Sequence, residues 1–144
     1  MTTIWEVLER KGHEVHTIEP DATVFDALVT MAQKNIGALV VLENGRVAGV
    51  LSERDYARKV ILRGESSKEL TVRKIMSRGV ICVAPERTVA ECMALMTDMR
   101  VRHLPVVAEE KLVGVISIGD VVKAVIAEKE FIIEQLEGYI RGNW

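Results

Sequence analysis

Apolar residues fall into short blocks along the chain, and the spacing within each block names an element. Ile4, Val7 and Leu8 share one helix face, and Gly12 is a natural stop. Val15 to Ile18 reads as a short extended piece closed by Glu19-Pro20. Asp21 to Thr23 offer a cap for a helix carrying Val24, Ala27, Leu28 and Met31, which Asn35 and Gly37 end. Ala38 to Leu42 is an apolar strand, Asn44-Gly45 a hairpin turn and Val47 to Leu51 the returning strand. A helix carrying Asp55, Tyr56, Val60 and Ile61 then runs to about Leu62, where Arg63-Gly64 stops it. A polar linker spans 65–71.

The pattern then repeats. Val72, Ile75 and Met76 make a second lead-in helix ended by Gly79, and Ile81-Cys82-Val83 is a short strand before Pro85. Thr88 caps a helix with Val89, Cys92, Met93 and Met96, and the strands Leu104–Val107 and Leu112–Ile116 flank a turn at Glu109-Glu110. Pro20 and Pro85, Thr23 and Thr88, Met31 and Met96, Gly49 and Gly114, and Asp55 and Asp120 recur at one offset of about 65 residues. A fixed period marks a duplicated structural unit. Each unit reads β-α-β-β-α and is too small to bury both its sheet face and its helices.

The predicted fold is therefore α/β (α+β), with two such repeats packed sheet to sheet under pseudo-two-fold symmetry and clefts between them. The first repeat and its lead-in helix occupy 1–64 and the second 72–129, leaving a C-terminal helix extension over 130–144. In that extension Ile132, Ile133, Leu136, Tyr139 and Ile140 prolong an apolar stripe begun by Val121, Val122, Val125 and Ile126. The stripe has no partner within the repeat. The lead-in helix, a second copy of the chain, or both are candidates to cover it.

Composition narrows the function classes. Hydrophobic residues at 49% supply a core, and aromatics at only 4% leave it to Val, Ile, Leu, Ala and Met. Nineteen basic residues against 21 acidic ones, a net charge of −2, give no global attraction to nucleic acid or anionic lipid. No apolar run approaches the roughly 20 residues of a membrane helix. The start Met1–Glu6 lacks a basic segment followed by an apolar one, so no signal peptide is expected. Cys82 and Cys92 stand outside any C-x-x-C pair and read as reduced, small buried hydrophobes, which suits a cytoplasmic location. His13 and His16 are not spaced with carboxylates or cysteines as a metal set would be. Neither a nucleophile–base pair nor a phosphate-loop glycine pattern is present, which argues against catalysis.

The duplicated stretch Gly49-Val50-Leu51-Ser52-Glu53-Arg54-Asp55 and Gly114-Val115-Ile116-Ser117-Ile118-Gly119-Asp120 carries the candidate chemistry. Its serine and aspartate sit where a strand hands over to a helix. They read either as helix caps or as groups facing a ligand at the helix N-terminus.

A duplicated β-α-β-β-α unit with a Pro-x-x-Thr-Val start and a Gly-x-x-Ser-x-x-Asp end resembles the CBS (cystathionine-β-synthase) domain pair, over about Val7 to Glu128. The resemblance implies a non-catalytic regulatory module binding AMP, ADP, ATP or NAD(H), with S-adenosylmethionine behind these and no metal required. It also implies a homodimer, a disc of four repeats that signals to a regulated protein. Asp55 and Asp120 match the ribose-binding position, where one carboxylate accepts bonds from two vicinal hydroxyls. Ser52 and Ser117 can reach ribose or phosphate. Thr17, with Ile18, matches the family's hydroxyl on the first strand, and Cys82, with Val83, stands at the equivalent place.

The adenine edge is expected at the backbone of Ile36-Gly37-Ala38 and of Val101-Arg102-His103, followed by Leu104 and Pro105. Gly37 either admits a ligand close to the main chain or caps a helix. Arg100, Arg102 and His103 replace Asn35, Gly37 and Ala38 of the first repeat, while Arg54 replaces Gly119 of the second. Across facing halves, Arg54, Arg102 and His103 are expected to serve the phosphate of a nucleotide held by Asp55, which ranks that site above the Asp120 site. A cationic His103 would make affinity fall between about pH 6 and 8. A ligand-independent dimeric scaffold and a nucleotide-processing enzyme are the alternative readings.

Overall fold

Short hydroxyl side chains start most of the helices. The computed structural model describes residues 1–142; Asn143 and Trp144, the last two residues of the expected C-terminal extension, lie outside it. Thr3 accepts the Glu6 N–H at the start of α1 (Ile4–Lys11), Thr23 that of Asp26 in α2 (Val24–Lys34), and Thr88 that of Glu91 in α5 (Val89–Met99). Ser52 does the same for α3 (Glu53–Tyr56), and Ser117 for α6 (Ile118–Ile140). A threonine, Thr71, also precedes α4 (Val72–Ile75). Helices α2 and α5 both end on a residue in the left-handed region, Asn35 and Arg100, so the cap expected at Gly37 falls two residues earlier.

The sheets repeat one another pair for pair. Strand β1 (Thr17–Ile18) runs parallel to β2 (Ala38–Glu43), which pairs antiparallel with β3 (Arg46–Ser52). In the second half β4 (His103–Ala108) pairs with β5 (Lys111–Ser117). Ala38 faces Ser52 as His103 faces Ser117, and each hairpin has its register shift at the same place, Val41/Leu42 and Val106/Val107. The expected strand at Ile81-Cys82-Val83 contracts to a single parallel bridge, Val83 to Val106, the counterpart of Ile18 to Val41. The second sheet therefore has two strands instead of three. The helix expected from Asp55 to Leu62 is regular only through Tyr56. It widens to a π-helical turn over Ala57–Ile61, from which Lys59 Nζ reaches the Ile75 carbonyl at 2.9 Å and Asp55 Oδ1 at 3.2 Å.

Both hairpin turns take positive φ at their two central residues. Asn44-Gly45 does so cheaply, whereas Glu109 and Glu110 hold φ of 51° and 66°. Replacing Glu109-Glu110 by Asn-Gly is expected to stabilise the protein by about 1 kcal/mol, read as a higher urea midpoint at unchanged slope.

Each lead-in helix completes the other repeat. Ile4, Val7 and Leu8 of α1 lie in one core with Val89, Cys92, Met96, Leu104, Val106, Ile116 and Val121. Val72, Ile75 and Met76 lie in the other with Val24, Ala27, Met31, Leu39, Val41, Leu51 and Val60. Backbone bonds follow the same exchange: Trp5 N–H donates to the Pro85 carbonyl (2.9 Å) and Arg73 N–H to that of Pro20 (2.8 Å). Arg73 also bonds Asp21 and Glu43. The first helix, assigned to repeat one by chain order, thus packs into repeat two. Val50 pairs with Ser77 across the halves, and β3 touches β5.

Candidate functional site

The two serine–aspartate pairs are built alike. Ser52 N–H and Oγ donate to Asp55 Oδ2, both at 3.0 Å, while Asp55 N–H donates to Ser52 Oγ at 3.1 Å. Ser117 N–H donates to Asp120 Oδ2 at 2.9 Å, and Asp120 N–H returns a bond to Ser117 Oγ at 3.2 Å. Both pairs are capping boxes. Capping leaves further acceptor capacity on each carboxylate, because an ionised carboxyl offers about four lone pairs. At Asp55 that capacity is met by Ser77 Oγ (3.2 Å) and Lys59 Nζ (3.2 Å). At Asp120 it is met by Lys11 Nζ (2.6 Å), which also donates to the Val115 carbonyl (3.0 Å).

Two hollows flank the join between the halves, and Val50 and His103 line both. The first, of about 290 Å³, is walled by Ile36, Gly37 and Ala38 of repeat one, by His103, Pro105 and Ser117 of repeat two, and by Lys11, Glu14 and His16. A Cβ on Gly37 would meet nothing within 4 Å, and its carbonyl accepts the Glu53 N–H at 3.0 Å. The second hollow, about 280 Å³, is walled by Ser77, Arg78, Gly79, Val80 and Ile81 together with Val101, Arg102 and His103. The two hollows differ in charge: Glu14 stands among the bases of the first, while only basic charged side chains line the second.

The other expected residues fall elsewhere. Asp120, beside the first hollow, lines a shallow groove with Lys11 and Lys123. Asp55 borders the second hollow through Ser77, and Arg54 is exposed and lines neither, so the expected Arg54–Arg102–His103 convergence is reduced to Arg102 and His103. Arg100 serves as the left-handed cap of α5, Leu104 is fully buried, Ile18 packs against the core of repeat one, and Thr17 and Gly119 are exposed. Cys82 and Val83 line a separate hollow with Arg87, Glu91 and Cys92, and of the two cysteines expected to be buried only Cys92 is, Cys82 being exposed where its strand shrinks to the single bridge at Val83. Sequence reasoning missed Lys11, Ser77 and Arg78. All three lie on or just past a lead-in helix, and the signal was the near-match of those segments at the repeat offset.

Electrostatics separate the two acidic positions' neighbours. Burial pushes the Asp120 carboxyl up, but the Lys11 ammonium and the Ser117 N–H outweigh it and hold the group below the usual carboxylate range. Burial lowers the His103 pKa; the Asp120 carboxylate pulls it back up, while Lys11 and Arg102 push it further down. His103 therefore takes up a proton less readily than an ordinary imidazole in the unliganded chain. An unfolded chain takes up this proton near pH 6.5 and the folded one resists. The stability tied to His103 is thus complete above that pH and is lost as the pH falls below it. Urea midpoints taken from about pH 7.5 down to pH 5 should drop more in the wild type than in His103→Gln.

A family model for the CBS domain matches residues 2–62 and 72–127. The chain belongs to the CBS domain family. Proteins of this family are regulatory modules, and those built of CBS domains alone are typically non-catalytic. The chain is 43% identical to the CBS domain-containing protein CBSX3, mitochondrial, of Arabidopsis thaliana, over 99% of this chain and 74% of that one. It superposes on a protein with CBS domains from Burkholderia ambifaria at TM-score 0.84 and 48% identity, covering 88% of this chain and 95% of that one. A hexameric CBS-CP12 protein from bloom-forming cyanobacteria matches at TM-score 0.80 and 29% identity, over 99% and 84% of the two chains. The CBS domain pair of MJ0100, in complex with 5-methylthioadenosine and S-adenosyl-L-methionine, shares the fold at TM-score 0.78 and 20% identity, over 89% and 98%. Among the described residues no helix is long and apolar enough to cross a membrane, and no group of three or more His, Cys, Asp or Glu is placed to hold a metal ion.

Proposed function

We propose that this CBS pair binds an adenosine-containing ligand, of the class AMP, ADP, ATP or NAD(H), between its repeats and reports its level to a partner protein. The observation that carries this reading is the first hollow. One wall is the open main chain at Gly37 and the other is Ser117, with the Asp120–Lys11 pair beside it. Asp120 is suited to accept the ribose hydroxyls, and Lys11, released from it, to meet phosphate. The ligands in the MJ0100 complex support the adenosine class. The sequence ranked Asp55 first, but the Asp120 side offers the cleft that has the Gly37 main chain in one wall and Lys11 in another. A ligand moves the pair only by its differential affinity for two arrangements. A homodimeric disc and a cytoplasmic location belong to the same proposal.

Thermal unfolding and calorimetry with AMP, ADP, ATP and NADH test it. The best ligand should raise the melting temperature by mass action. Asp120→Ala should weaken that ligand about tenfold or more, the usual loss for a charge-assisted bond. Gly37→Leu should block the hollow while leaving unliganded stability nearly unchanged, since its side chain enters open space. Loss of affinity in Asp55→Ala alone would move the ligand to the second hollow. If no nucleotide shifts the melting point, the sensor reading is wrong.

A further inference from the structure

A groove of about 350 Å³ runs between α1 and α6, lined by Val7, Arg10 and Lys11 of the first helix and by Asp120, Lys123, Ala124 and Ala127 of the second. Lys11 lines both this groove and the first hollow, so the two meet at that side chain. Asp120 is the groove's only acid; Glu6 and Glu9 of α1 and Glu128 and Glu130 of α6 lie outside its lining. Arg10 and Lys123 are exposed, and neither has a hydrogen-bond or ion-pair partner among the described residues. The groove therefore sets three cations against one carboxylate, and two of the three are uncommitted. The hollow itself is less suited to phosphate: Glu14 stands in its wall, and burial makes His103 resist a proton.

Resting on the adenosine reading above, we propose that this site selects its ligand by the length of the phosphate chain, favouring a nucleoside triphosphate and excluding the bare nucleoside. A ribose that takes the Asp120 oxygens must displace Lys11, whose ammonium sits on them at 2.6 Å. A nucleoside offers that ammonium nothing in exchange, so a partly buried ion pair is broken without replacement. A phosphate on the same ribose pairs with the released ammonium by charge-assisted bonds. Further phosphates then run out of the hollow past Lys11 and along the groove, between Arg10 and Lys123. The Asp55 side lacks this arrangement: its cation, Lys59, follows Asp55 by four residues in the same segment, whereas Lys11 comes from another helix and brings Arg10 with it. The expected order is ATP, then ADP, then AMP, with adenosine far behind. NADH falls below ATP, because each of its two bridging phosphates carries a single charge.

Calorimetry on the full chain with magnesium-free ATP, ADP, AMP and adenosine tests this order. Lys11→Met keeps the stem and removes the charge. ATP should then bind about tenfold more weakly, while adenosine binds more tightly because nothing competes with it for Asp120. Arg10→Gln and Lys123→Gln change exposed side chains, and each should weaken ATP about fivefold while leaving AMP unchanged. Added salt should weaken ATP more steeply than AMP. Equal affinities for ATP and AMP, Arg10 and Lys123 variants that weaken both alike, or adenosine that gains nothing in Lys11→Met would each overturn the proposal and leave the adenosine reading standing. Failure of all four compounds to bind would overturn that reading, and this one with it.

Discussion

Leu8→Ala should destabilise the protein by about 3 kcal/mol, a large part of the stability of a small domain, with a matching fall in urea midpoint. Leu8 is fully buried, and it is the residue that an added Cβ on Gly114 would strike, at 2.6 Å from Cδ2 and 2.9 Å from Cδ1. The leucine of α1 and the missing side chain of β5 are two sides of one fit. Gly114→Ala should accordingly be harmful in the wild type and nearly neutral, or restorative, in the Leu8→Ala background. A double-mutant cycle reads this coupling directly. Additive losses would show that the two sites do not share a cavity.

Gly49→Ala is expected to cost about 2 to 3 kcal/mol, with no relief from trimming a neighbour. A Cβ there would lie 2.8 Å from the Ser77 carbonyl oxygen and 2.8 Å from Met76 Sδ. The methionine can shift, but the carbonyl cannot without breaking the bridge in which Val50 N–H donates to Ser77 O at 3.1 Å and Ser77 N–H to Val50 O at 2.9 Å. That bridge also holds Ser77 Oγ against Asp55, so the second hollow should lose its shape together with the stability. Thermal melts and hydrogen exchange at Val50 and Ser77 would show this loss; unchanged protection would contradict it.

The repeat was readable from the chain because its markers are residues with few substitutes. Gly49 and Gly114 have no room for a Cβ, Thr23 and Thr88 satisfy helix ends, and Asp55 and Asp120 close capping boxes. Their common offset carried the sheet register to the matching irregularity in each hairpin. The apolar run at Cys82 predicts a strand where the fold has one bridge, because three apolar residues look alike whether they pair along their length or, as here, at Val83 alone. The site was only half legible. Ile36, Gly37, His103 and Ser117 do converge, but Lys11 reaches Asp120 by an exchange of lead-in helices that no local pattern encodes. Arg54 lines neither hollow, because a charge beside a motif residue on a helix points a different way from its neighbour.

That exchange has a consequence for how the chain is made. α1 leaves the ribosome before every other element of its core, and its seat is not complete until β5 and Val121 have emerged, because Ile4 and Leu8 share a core with Ile116 and Val121. The helix must therefore wait, its apolar face without its partners, until the second repeat has followed it. Severing the linker would for the same reason leave two fragments, each holding the missing piece of the other. Such fragments are expected to fold together when mixed and poorly apart.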